Sequence, residues 1–206
     1  MLLKQKRYSE AENAIKKAID FPKNYHKELA DIYMAQNKYS EAEKEMRLCL
    51  KKEKYHSYYN YIGNILTKLN MNIKAEKEFR IATEMEPDNA AYHYDLANAL
   101  NVLKKFKEAE FEFRITVEIE PEDSVYNNIL ANFLAERKKF DEAEIYYKLA
   151  IKLDQEDAYF HTDYAEFLTK RKRFKEAEME FKQAIKIDPD EKNATIGLEK
   201  LIKLGK

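Results

Sequence analysis

Four histidines, one cysteine and a large set of carboxylates are the side chains in this sequence that could do chemistry. A metal site needs ligands at fixed spacing, such as two histidines one helical turn apart. His26, His56, His93 and His161 never stand at such a spacing. His93 and His161 fall at matching positions of two related segments, which predicts a packing role. Cys49 has no second cysteine to bridge to and no basic neighbour placed to lower its pKa, so it predicts a small buried thiol. The carboxylates lie outside the apolar stripes, where burial would raise a pKa for acid–base work. Glycine occurs three times, too rarely for phosphate-cradling loops or tight hairpins, and no G-x-G-x-x-G, P-loop or nucleophile elbow is present. The sequence predicts no catalytic constellation, no metal and no cofactor.

What must position these residues is a helical framework. Charged residues make up 36% of the chain, an excess that requires a large solvated surface, while 45% hydrophobic residues supply a core. The formal net charge of −1 gives no global electrostatic reason to bind nucleic acid or an anionic membrane. Residues 1–7 lack a signal peptide's apolar core, no apolar run is long enough to span a bilayer, and a single cysteine suits a reducing compartment. A soluble cytoplasmic protein is the expectation.

The chain repeats itself every 34 residues. Ala75, Ala109, Ala143 and Ala177 keep that step, as do Gly63, Ala97, Ala131 and Ala165, and Phe79, Phe113, Tyr147 and Phe181. Pro87 and Pro121 close successive units, and Pro189 closes a later one. Within 90–123, Leu96, Ala97, Leu100 and Leu103 form one apolar stripe, and Ala109, Phe113 and Val117 form a second after a break at Lys104-Lys105. Each unit therefore predicts two helices, with proline just beyond the second. Ser9-Glu10-Ala11-Glu12, Ser40-Glu41-Ala42-Glu43 and Asp141-Glu142-Ala143-Glu144 match the capping box and predict the starts of second helices.

With these columns the sequence resembles the tetratricopeptide-repeat family. Unit 56–89 carries Tyr59, Ile62, Gly63, Leu66, Ala75, Phe79, Ala82 and Pro87 at the family's positions, and 158–191 carries Tyr164, Ala165, Leu168, Ala177, Phe181, Ala184 and Pro189. The resemblance implies an all-α solenoid of antiparallel helix pairs, wound as a right-handed superhelix. It implies a partial repeat at 1–22, repeats at 23–55, 56–89, 90–123, 124–157 and 158–191, and a C-terminal capping helix at 192–206. Residues 1–7 match the tail of a first helix and 9–19 a second helix, so Leu2, Leu3, Ile15 and Ile19 lack part of their cover. That predicts self-association through the N-terminal end, or an upstream segment absent from this chain. The linker Asp20-Phe21-Pro22-Lys23 must be tight, since unit 23–55 is one residue short.

The resemblance also implies a protein-interaction scaffold, not an enzyme, that takes a peptide or helical segment in its concave groove. Its partner is a protein, with no nucleic acid and no membrane. A non-catalytic repeat region of a larger protein, such as an enzyme subunit or transferase, and a self-assembling structural array are the alternatives. Positions that face the groove in the family are here Asn60, Asn64, Tyr94, Asn98, Asn101, Asn128, Asn132, Tyr159 and Thr162. Asn64, Asn98 and Asn132 form a ladder one repeat apart, and an amide can both donate to and accept from a peptide backbone. Family members that bind chaperone tails use a clamp of cations, whereas the matching positions here include Asp31, Tyr61, Ala91, Asp95, Val125, Ile129 and Asp163. Such tails are therefore not expected as ligands. The turns within units are basic, as at Lys170-Arg171-Lys172-Arg173, and those between units are acidic, as at Asp188-Pro189-Asp190-Glu191. This pattern offers a basic ridge to an acidic partner, but it is also what helix ends favour.

Overall fold

The 34-residue step is the length of one 13-residue helix, one 14-residue helix and two short turns. The structure is a computed structural model. It describes the backbone of residues 2–18 and 25–204 and the side chains of 7–15 and 25–203. Among the described residues there are twelve α-helices and no strand. They are α1 Leu2–Ala18, α2 His26–Ala35, α3 Tyr39–Lys52, α4 His56–Lys68, α5 Asn72–Met85, α6 Ala90–Val102, α7 Phe106–Ile119, α8 Ser124–Glu136, α9 Phe140–Leu153, α10 Ala158–Lys170, α11 Phe174–Ile187 and α12 Lys192–Leu204.

The chain divides into two compact units, 1–112 and 113–206. In the first, α2 packs on α3 and α4 on α5, and α4 also touches α6. In the second, α8 packs on α9 and α10 on α11, while α12 covers α11 and reaches α10. The small residues of the repeat columns let each pair close up. Ala75, Ala97, Ala131, Ala143, Ala165 and Ala177 are wholly buried, with Phe79, Tyr147 and Phe181 filling the angle beside them. Gly63 lies so close to Phe79 that a Cβ would stand 2.4 Å from its Cε1.

Every turn within a repeat is built the same way. Asn37, Asn70, Lys104, Lys138 and Lys172 have φ of 57–62°, the left-handed conformation that ends a helix. The next residue's N–H reaches back to the helix, as Lys105 does to the Leu100 carbonyl at 2.9 Å and Arg173 to Leu168 at 3.0 Å. This geometry corrects the predicted capping boxes. α3 and α9 begin at Tyr39 and Phe140, one residue before Ser40 and Asp141, and Lys38 and Lys139 stand at their ends with no side-chain cap. α1 runs unbroken through Ser9, so residues 2–7 and 9–18 are one helix rather than the ends of two. Side-chain caps lie instead on first helices, where Asn89, Asp123 and Asp157 accept from the N–H of Tyr92, Tyr126 and Tyr159. The linker 20–23 and the side chains of Leu2, Leu3 and Ile19 lie outside the described residues, and Ile15 is half-buried.

Candidate functional site

Four of the asparagines predicted to face a groove are held by half-buried aspartates of the following repeat. In the first unit Asn60 Nδ2 on α4 donates to Asp95 Oδ2 on α6 at 2.7 Å, and Asn64 Nδ2 donates to the same oxygen at 3.2 Å. In the second unit Asn128 and Asn132 on α8 both donate to Asp163 Oδ2 on α10 at 2.6 Å. Burial pushes both carboxyls above the ordinary aspartate range, and the amide hydrogen bonds pull the other way. Asn98 has no such partner: its amide donates to the Tyr94 carbonyl of its own helix at 3.0 Å. The ladder therefore alternates, with two rungs tied across repeats and one tied within its helix.

The remaining predicted positions divide by burial. Asn101 and Tyr94 are half-buried, and Tyr159 is 51% exposed. Asn128 and Thr162 are each 2% exposed, and the Thr162 hydroxyl donates to the Ala158 carbonyl. These two do not line an open surface.

Carboxylates are buried after all, contrary to the sequence expectation. Glu76 and Glu112 are 6% and 9% exposed. Glu112 meets His93 Nδ1 at 2.6 Å while His93 Nε2 lies 2.9 Å from the Pro87 carbonyl, so this buried histidine is also polar-paired. His26–Glu45 and His161–Glu180 repeat the pairing at 2.7 and 2.6 Å. The bases of the internal turns are partly structural too. Lys105 reaches Glu76 of the preceding repeat at 2.8 Å, and Arg173 reaches Glu144. Cys49 is buried, which pushes its thiol up, as do Glu28 and Glu45, and makes it a poor nucleophile.

Between α8 and α10 a cavity of about 400 Å³ opens, lined among others by Asn132, Phe140, Tyr147, Asp163, Phe167 and Arg171. Its polar floor is a chain of hydrogen bonds: Tyr147 Oη donates to Asn132 Oδ1 at 2.6 Å, and Asn132 Nδ2 donates to Asp163. Its walls are aromatic. Phe167 lies 5.1 Å from Tyr147 and 6.3 Å from Phe140, ring centre to ring centre, and the Arg171 guanidinium sits 4.1 Å over Phe140. Ala135, Glu136, Glu166 and Lys170 complete the lining. Asp163, Tyr147, Phe140 and Phe167 were not among the predicted groove residues. The available signal was the Asn-x-x-x-Asn pair at 60/64 and again at 128/132, followed 31 residues later by Asp95 and Asp163. Among the described residues no group of three or more His, Cys, Asp or Glu is placed to hold a metal, and no helix is long and apolar enough to cross a membrane.

Three sequence profiles described as tetratricopeptide repeat match residues 28–51, 74–124 and 134–199, which together span more than half of the chain. The chain belongs to the tetratricopeptide-repeat family. Among solved structures, this tetratricopeptide-repeat protein is similar to MamA 41-end from Desulfovibrio magneticus RS-1, at TM-score 0.72 and 15% identity over 81% of this chain and 95% of that one. It is similar to YrrB, described as a TPR protein with an unusual peptide-binding site, at TM-score 0.69 and 19% identity over 93% and 97%. A chain of the APC/C hetero-tetramer Cut9-Hcn1 matches at TM-score 0.70 and 16% identity, over 97% of this chain and 40% of that one. At these identities the likeness is one of fold. No curated protein sequence matches. Proteins of this fold generally mediate protein–protein interaction and are typically non-catalytic.

Proposed function

We propose that this tetratricopeptide-repeat protein is a non-catalytic scaffold that seats a peptide or helical segment of another protein against its first helices. The observation that carries this reading is the cavity between α8 and α10, where aromatic walls surround a polar floor that includes Asn132. Binding sites combine apolar walls with a few fixed polar groups in this way. A second, smaller cavity of about 280 Å³ lies between α10 and α12 and shares Glu166 and Lys170 with the first. Tyr159, half exposed on α10, supplies an aromatic contact of the kind enriched at interfaces. The peptide-binding site named for YrrB supports the reading by analogy of fold. The asparagine positions contribute in two ways. In the first unit Asn60 and Asn64 hold Asp95 in place, while Asn98, Asn101 and Tyr94 offer contacts of their own; in the second, Asn128 and Asn132 hold Asp163, while Tyr159 offers a contact to the ligand.

Selection of a displayed random-peptide library on the immobilised protein tests the proposal. Peptides enriched on the wild type should bind Tyr159→Ala about tenfold more weakly, in line with loss of an interface aromatic. Failure to enrich any peptide, or unchanged affinity for Tyr159→Ala, would contradict it.

A second reading, self-association, draws on the outer faces of second helices. Ile145 on α9 and Met179 on α11 are 64% and 63% exposed, one repeat apart. Sedimentation of Ile145→Ser/Met179→Ser against wild type tests it: a wild-type dimer that dissociates in the double variant supports this reading.

A further inference from the structure

We propose that the α8–α10 cavity recognises a cationic side chain, a lysine ammonium or an arginine guanidinium, of the bound segment. This deepens the groove reading and rests on it.

The argument is one of hydrogen-bond capacity. Tyr147 has one phenolic hydrogen, and it is engaged by Asn132 Oδ1. The Asn132 amide donates to Asp163 Oδ2, and so does Asn128. Both bonds fall on one oxygen of Asp163, which fixes the carboxylate and leaves Oδ1 for another donor. The floor thus has acceptor capacity at Asp163 Oδ1 and on the remaining lone pairs of Tyr147 Oη and Asn132 Oδ1, against one leftover N–H on Asn132. A ligand that satisfies such a floor must bring several donors. An ammonium brings three and no acceptor, and a guanidinium five. A carboxylate ligand would place acceptor against acceptor.

Charge agrees with this count. Three carboxylates line the cavity, Asp163, Glu136 and Glu166, against Lys170 and Arg171. The Arg171 guanidinium is held over the Phe140 ring, and Lys170 is the native cation that acts on Asp163 at range. Phe140 and Phe167 give the aliphatic stem of a lysine an apolar wall, and their rings favour a cation nearby. Asp163 has lost water to burial, and an incoming cation replaces part of what it lost.

The test uses the full ¹⁵N-labelled chain and blocked five-residue peptides, alanine at every position but the central one, which is lysine, Nε-acetyl-lysine or glutamate. The lysine peptide should shift the backbone signals of Asn132, Tyr147, Asp163 and Phe167 saturably, and the other two should not. Asp163→Asn, which keeps the shape of the side chain, should weaken the lysine peptide at least about tenfold. Lys170→Met, which removes the native cation, should strengthen it. The proposal is overturned if the lysine peptide causes no saturable shift, if acetyl-lysine shifts the same signals equally, or if Asp163→Asn binds unchanged. The groove reading fails on a different result. Library peptides that bind the first helices with no basic residue in the cavity sink the cation inference alone, whereas the absence of any binding peptide, library or lysine, sinks the groove reading and the inference with it.

Discussion

Asn132 stands to Asp163 as Asn64 stands to Asp95: an amide on one first helix donates to a half-buried carboxylate on the next, 31 residues on, at 2.6 Å in the second unit and 3.2 Å in the first. A half-buried carboxylate that loses a donor bears part of the cost of its missing solvation. Asn128→Ala removes one of the two donors to Asp163 and should lower stability by about 1–3 kcal/mol, read by denaturant unfolding.

The same carboxylates give a pH signature. Burial raises the Asp163 pKa in the folded chain above its ordinary value of 3.8. A carboxyl raised in this way favours the fold fully below the unfolded value, and that contribution is lost as pH rises through the folded value. Asp163→Asn lacks the group. Its stability relative to wild type should therefore rise between pH 3 and pH 7, as followed by thermal melts across that range.

Glu144 carries the opposite sign. Arg173 first, then Lys148 and Tyr164, hold its carboxyl down to about 2, against burial. A carboxyl lowered in this way stabilises the fold above its ordinary value, and the contribution is lost as pH falls through about 2. Glu144→Gln should cost about 1–3 kcal/mol at pH 7, typical of hydrogen bonds to a charged group, and the gap should close in strong acid.

The helix pairs were legible because their packing leaves a 34-residue trace in every column, from Ala75 to Ala177 and from Phe79 to Phe181. The second-helix starts were not, because Lys104, Lys138 and Lys172 take the left-handed conformation and feed the chain directly into the next helix. Ser40 and Asp141 look like caps one residue inside a helix that is already under way. Buried charge was hidden for a related reason. Asp95, Asp163 and Glu112 are each bonded by a side chain of another helix, which single-helix periodicity cannot reveal. The cavity needed the same information, since its lining comes from three helices.

The left-handed turn residues give a stability prediction. A side chain in that conformation costs about 1–2 kcal/mol, part of which glycine returns as lost chain entropy. Lys172→Gly, at φ 59°, should raise stability by about 1 kcal/mol or less. If the basic turns bound an acidic partner, the same change would also weaken that binding; on the present account it leaves peptide affinity unchanged.

Gly63 responds in the other direction. Alanine gains about 1 kcal/mol in helix propensity. Its Cβ, however, would stand 2.4 Å from Phe79 Cε1, and Phe79 is itself 2% exposed and cannot move freely. Overpacking should dominate, and Gly63→Ala should unfold at lower denaturant, by about 1–3 kcal/mol.

The scaffold reading is tested most directly by mapping where a library-selected peptide binds, through chemical-shift changes on the ¹⁵N-labelled full chain. The account predicts changes concentrated on first helices, around Asn132, Tyr159, Asp163 and Phe167 of α8 and α10. Changes concentrated instead on the outer faces of α9 and α11, around Ile145 and Met179, would contradict it.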